Sequence, residues 1–130
     1  MQEKVFKIKV RLEFSAAHHI RGYDGDCARP HGHNFVVEAH AMTPHLDSLG
    51  IAIDFKLFKK FLKDLISKLD HQDLNLLPPF DRINPTAEAL AKFLYEELSL
   101  KIADSAECKN LNLHSVTVWE NQNSAASYGL

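Results

Sequence analysis

Long apolar runs, an excess of positive charge and a cysteine framework are all missing from this 130-residue chain. No stretch approaches the ~18 uninterrupted apolar residues of a membrane span, so no membrane association is expected. Fifteen Lys and Arg stand against 17 Asp and Glu, for a formal charge of −2. That leaves no cationic surplus for a nucleic-acid backbone or an anionic bilayer. The opening residues, Met1-Gln2-Glu3-Lys4-Val5, lack the charged-then-apolar layout of a signal peptide. Only Cys27 and Cys108 are available for a disulfide, which points to a reducing, cytoplasmic setting. Internal repeats, low-complexity tracts and linkers are absent too. What is present, 45% hydrophobic and 25% charged residues, suits one domain over residues 1–130 with a real core.

The first segment alternates cleanly. Phe6, Ile8, Val10, Leu12, Phe14 and Ala16 face one way, and Lys7, Lys9, Arg11, Glu13 and Ser15 the other, as in a half-buried strand. Carried one step further, the parity places His18 on the apolar face. After a loop containing Gly22, Gly25 and Pro30, a second strand runs from about His31 to Met42. His31 and His33 share its odd, apolar face with Phe35, Val37, Ala39 and Ala41. Asp54 is the expected N-cap of a helix through about Leu69, with Phe55, Phe58, Phe61, Leu62, Leu65, Ile66 and Leu69 as its buried stripe. A second helix is expected with Asn84 as cap and Pro85 at its first position. Leu111 to Glu120 reads as a third strand and Ser127–Leu130 as a short fourth. The order, ββααββ, predicts an α+β domain with two helices on one sheet face.

If the first two strands form a hairpin, His18 and His31 flank one loop, and His18, His31 and His33 converge at one end of the sheet. Three imidazoles with a fourth position open describe a catalytic zinc site. Uncompensated polar rings in an apolar layer would each cost free energy, which favours metal over three separate core histidines. Gly32 keeps the second pair at i and i+2. Cys27, four residues before His31, reads either as a fourth ligand of a closed structural zinc or as a reactive thiol beside an open one. The thiolate-poor donor set favours the reactive role. Asp70-His71 directly follows the first helix; it is either a carboxylate-oriented proton-transfer unit or a dipole-favoured helix-end His. Glu88, in a helix first turn, and Glu120, at a strand end, would not stand out by themselves.

These residues fall within longer blocks: Phe14-Ser15-Ala16-Ala17-His18, Cys27-Ala28-Arg29-Pro30-His31-Gly32-His33, Ile53-Asp54-Phe55, Leu69-Asp70-His71, Asn84-Pro85-Thr86-Ala87-Glu88 and Trp119-Glu120. In this order they resemble the 6-pyruvoyltetrahydropterin and 6-carboxytetrahydropterin synthase family. The resemblance implies Zn2+ on His18, His31 and His33, with Cys27 as catalytic proton acceptor and Asp70 and His71 as a second proton-handling pair. It implies that Glu120 anchors the pterin, with Glu88 and Thr86 nearby. It also implies the tunnelling fold: a four-stranded antiparallel sheet with two helices, assembled as trimers or hexamers.

The Cys-to-His spacing looks like the bacterial carboxy branch of queuosine and deazapurine biosynthesis. There, 7,8-dihydroneopterin triphosphate becomes 6-carboxy-5,6,7,8-tetrahydropterin with release of triphosphate and acetaldehyde. The rivals are the pyruvoyl synthase, which retains the side chain, and a zinc-stabilised binding module without turnover. Arg21 and Arg29 lie in the loop where an anionic substrate would need partners.

Overall fold

A computed structural model describes residues 3–130. Strand β1 (Phe6–His18) pairs antiparallel with β2 (His31–Thr43) along its whole length. Helix α1 (Phe55–Ile66) follows, then a two-residue strand β3 (Gln72–Asp73) and helix α2 (Ala87–Ala103). Strands β4 (Asn112–Asn121) and β5 (Ser124–Gly129) complete the chain. The sheet has five strands in the order β3-β1-β2-β4-β5. All neighbours are antiparallel except β3, which runs parallel to β1 beside Ala16 and Ala17.

This corrects the expected four-stranded antiparallel sheet and its ββααββ order. The additional strand is too short and too exposed to leave a hydrophobic pattern. It pairs only because the chain leaving α1 passes the end of β1. The last strand also begins earlier than Ser127.

Period-two alternation builds the sheet's apolar face. Val10, Phe14, Ala16, Phe35, Val37, Ala39, Val116 and Val118 are buried on it. Against them pack Phe58, Leu62, Leu65 and Ile66 of α1 and Leu90, Ala91, Leu94 and Leu98 of α2. At about 25 cal/mol per Å2 of apolar surface removed from water, this layer is the main force holding helices on sheet. Phe14 and Phe35 stack with centroids 5.0 Å apart, forming a rigid apolar floor near one end of the hairpin.

Asp54 caps α1 as expected, its carboxylate accepting the Lys56 N–H at 2.7 Å. The helix stops at Ile66, and Leu69 is buried beyond it. Phe55, in the first turn, is 56% exposed and does not join the stripe.

The start of α2 differs from expectation. Thr86 is the cap, accepting from the Ala89 N–H at 3.0 Å, and Ala87 is the first helical residue. Asn84 is unavailable for that task because its amide pairs with the backbone of Arg21.

Candidate metal centre and the hollows beside it

The hairpin register sets His18 directly opposite His31, and Ala16 opposite His33. All three rings therefore emerge on the helix-covered face at the same end of the sheet. Their centroids lie 4.6, 4.9 and 5.1 Å apart, at interplanar angles between 66° and 86°. One nitrogen from each falls within 4.8 Å of the others. Among the described residues this is the only such group of three or more His, Cys, Asp or Glu. The edges of His18 and His33 rest on Phe35, at 5.4 and 5.3 Å, so the cluster stands on the apolar floor.

Hydrogen bonds decide which nitrogen two of the rings offer. His18 Nδ1 lies 2.7 Å from the Pro85 carbonyl, and His31 Nδ1 lies 2.7 Å from the Arg29 carbonyl. A carbonyl only accepts, so each Nδ1 carries a proton and Nε2 is left as the atom that faces a metal. His18 is 1% exposed and its Nε2 has no hydrogen-bond partner. Burial lowers the His18 pKa, and the neighbouring imidazoles reinforce this against the Pro85 carbonyl and Glu120. The ring is thus held in the neutral form that a metal needs. An orphaned, buried lone pair aimed at two more imidazoles fits a divalent cation.

Glu120 approaches this centre from β4. Val116 and Val118 are buried on the helix side, and the same parity brings Glu120 to that face. A register irregularity between Trp119 and Asn121 re-aims the chain there. One Glu120 carboxylate oxygen lies 3.9 Å from His18 Nε2. Glu120 and Glu88 also line one open hollow of about 450 Å3, with Ser124 and Ser127 on its β5 side. Thr86 stands two residues before Glu88 in sequence, but its hydroxyl is engaged as the α2 cap.

On the other side, His33 and His71 line a second hollow of about 520 Å3. His71 adopts φ 58°, and its N–H donates to the Ser15 carbonyl. Its Nδ1 lies 3.0 Å from Asp70, whose carboxylate also accepts the Ser15 N–H at 2.9 Å. That backbone bond, with His71 adding to it, holds the Asp70 carboxyl below its ordinary value of 3.8. Because the folded value is depressed, its stabilising contribution is complete above the unfolded value. It disappears as pH falls through the folded one. Asp70→Asn should therefore lower the urea midpoint relative to wild type at neutral pH, and the gap should close on acidification. A gap that persists well below the ordinary carboxylate range would remove the carboxylate from this account.

Cys27 lies in an exposed 3-10 turn, Asp26–Ala28, and its thiol is not among the convergent ligand atoms. Gly32 is not sterically required. A Cβ there would meet only the Ala16 carbonyl, at an ordinary 3.7 Å. Arg21 is not free for an anion. Its guanidinium donates to the Phe80 carbonyl at 2.7 Å and to the Asn75 and Ile83 carbonyls at 3.2 and 3.3 Å. Neither the Pro85 carbonyl nor Asn75 stands out in the sequence as part of this centre. A polar amide within the apolar run Leu74-Asn75-Leu76-Leu77 was the one available signal, and Asn75 is indeed buried.

Fold and site together define a small α+β domain with a candidate three-histidine metal centre, one open hollow lined by Glu120 and Glu88 and a second lined by His33 and His71. Residues 7–129 match the model of the family described as 6-pyruvoyl tetrahydropterin synthase. The chain belongs to this family of pterin synthases. A relative from Synechocystis sp., named 6-carboxy-5,6,7,8-tetrahydropterin synthase, is 33% identical over 122 residues, covering 90% of this chain and 88% of the relative. A protein of the same name from Rickettsia typhi is 31% identical over 139 residues, covering 92% and 96%. The structure of Caenorhabditis elegans 6-pyruvoyl tetrahydropterin synthase superposes with a TM-score of 0.82, over 100% of this chain and 99% of that one. At 21% identity this last likeness is one of fold.

Proposed function

We propose that the chain converts 7,8-dihydroneopterin triphosphate and water to 6-carboxy-5,6,7,8-tetrahydropterin, triphosphate and acetaldehyde. The observation that carries this reading is the convergence of three imidazoles, one with a buried and unpartnered Nε2, beside the Glu120 carboxylate. The names of the Synechocystis and Rickettsia relatives support the carboxy product. The reading places the reaction in queuosine or deazapurine biosynthesis and the protein in the cytoplasm. No helix among the described residues is long and apolar enough to cross a membrane.

His18, His31 and His33 would hold Zn2+. Bound there, the ion supplies Lewis acidity toward oxygens of the substrate side chain. Glu120 orients the pterin, because two carboxylate oxygens can accept paired N–H bonds from the aminopyrimidinone edge. Glu88 extends the same acidic hollow, and Thr86, which caps α2 two residues earlier, contributes nearby. Cys27 accepts the proton that leaves the side-chain carbon. His71, facing the hollow it shares with His33, moves a second proton, and Asp70 balances the charge on its ring.

Residues 1–130 act as one pterin synthase-like domain in this reading, assembled as a homo-oligomer. Supporting the assembly, β5 ends the sheet on one side, and β1 on the other pairs with β3 only at Ala16 and Ala17. Such open edges are templates for strand addition.

Incubation of the zinc-loaded protein with 7,8-dihydroneopterin triphosphate tests the reaction. The expected products are 6-carboxytetrahydropterin by mass and an equal amount of acetaldehyde. A product that retains its three-carbon side chain, without acetaldehyde, would instead establish the pyruvoyl chemistry of the family description. No turnover with metal bound would leave the zinc-stabilised binding module.

A further inference from the structure

His18 ends β1, yet the chain beyond it stays tied down through Arg21 by side chains rather than by a strand. Asn75 Oδ1 accepts the His19 N–H at 2.9 Å while its Nδ2 donates to the His19 carbonyl at 3.0 Å. Asn84 repeats this at Arg21, accepting its N–H at 2.9 Å and donating to its carbonyl at 2.9 Å. Each amide thus satisfies both backbone groups of its residue, at alternate positions, much as a neighbouring strand would. Ile20, between them, turns oppositely, and its N–H donates to the Cys27 carbonyl at 2.7 Å. The Arg21 guanidinium then reaches back to the Asn75, Phe80 and Ile83 carbonyls. The two loops bearing the asparagines are thereby locked to each other.

This arrangement has two outputs. Pro85, whose carbonyl fixes His18 Nδ1, immediately follows Asn84, and His18 immediately precedes His19. Both ends of that hydrogen bond are thus one residue from a clamped position. Cys27 is fastened to the residue between the clamped pair. We infer that Asn75, Arg21 and Asn84 form a positioning clamp that sets the orientation of the His18 imidazole toward the bound cation and the location of the Cys27 turn. The inference rests on the metal-centre reading above. None of the three touches the ligand nitrogens; they act through the Pro85 carbonyl and the Ile20 N–H. Asparagine makes both bonds where aspartate makes one, since a carboxylate keeps the acceptor but has no N–H for the Arg21 carbonyl.

The test uses the full chain. Zn2+ affinity is measured by competition with a chromophoric chelator, and the visible spectrum of the Co2+-loaded protein is recorded for Asn84→Ala, Asn84→Asp and Arg21→Lys. Loss of a group that orients a metal-ligating His is expected to weaken binding about 10- to 100-fold. The Co2+ bands should shift as the ligand geometry relaxes. Asn84→Asp, which keeps one of the two bonds, should lie between wild type and Asn84→Ala. Ile102→Val in α2 serves as a destabilised control, and its affinity and spectrum should match wild type. The clamp is overturned if all three variants bind and absorb like wild type while melting earlier, because that is a purely structural role. If wild-type protein takes up no cation at these histidines, the metal-centre reading itself falls, and the clamp with it.

Discussion

With His18 replaced by alanine, Zn2+ binding is expected to weaken by more than the ~100-fold typical of losing an outer orienting group. Three reasons combine at this residue. His18 supplies one of only three ligand nitrogens, it is the most buried of them, and the Pro85 carbonyl already fixes its tautomer. His31 and His33, left alone, sit at i and i+2 on one strand and lack a ligand from the opposite side. Wild-type protein should gain thermal stability with Zn2+, by about 2.7 kcal/mol when free metal is 100 times Kd. A chelator should remove that gain, and the variant should show neither gain nor loss. Elemental analysis with parallel melting curves reads both effects. Stoichiometric, wild-type-strength binding in the variant would place the cation elsewhere.

The second large effect is expected at Cys27. Cys27→Ala should lower kcat by about 10^2 to 10^4, the range for a positioned proton-transfer group, with metal content unchanged. The turn carrying this residue is held by main-chain bonds: Ile20 N–H to the Cys27 carbonyl, Ala28 N–H to Gly25 and Arg29 N–H to Asp26. Alanine retains all of them, so the change removes the thiol and little else. Its exposure argues the same way, since no buried cavity is created. Steady-state kinetics beside metal analysis separates the outcomes. Activity within about tenfold of wild type would exclude the thiol as proton acceptor, since such groups typically contribute 100-fold or more. Loss of metal together with activity would make it a ligand.

Much of this centre could be read from the chain because alternation is a strict rule. Period two from Phe6 to Ala16 carried His18 onto the buried face, and the same rule put His31 and His33 there from β2. That the two strands pair as a hairpin was a condition of the argument, and the structure supplies the register that sets His18 opposite His31. Other features depend on contacts that no local pattern encodes. Both Asn84 and Thr86 are good capping residues, and the choice between them was made by Arg21, 63 positions earlier than Asn84. Phe55 follows helical periodicity yet stands mostly in solvent, because its turn lies at the start of α1, away from the packed stripe. Arg21 looked like an anion partner by charge, but three backbone carbonyls occupy it. The β3 pairing arises from where the chain passes after α1, so Gln72 and Asp73 carry no signature of it.

The left-handed backbone at His71 bears on how mutagenesis there is designed. Valine or isoleucine at that position would fight the main chain before any question of chemistry arose. A saturation library would then score the site as intolerant for a reason unrelated to imidazole. Asparagine and glycine accept the posture and carry no ring, so they are the substitutions that report on loss of the imidazole without added backbone strain.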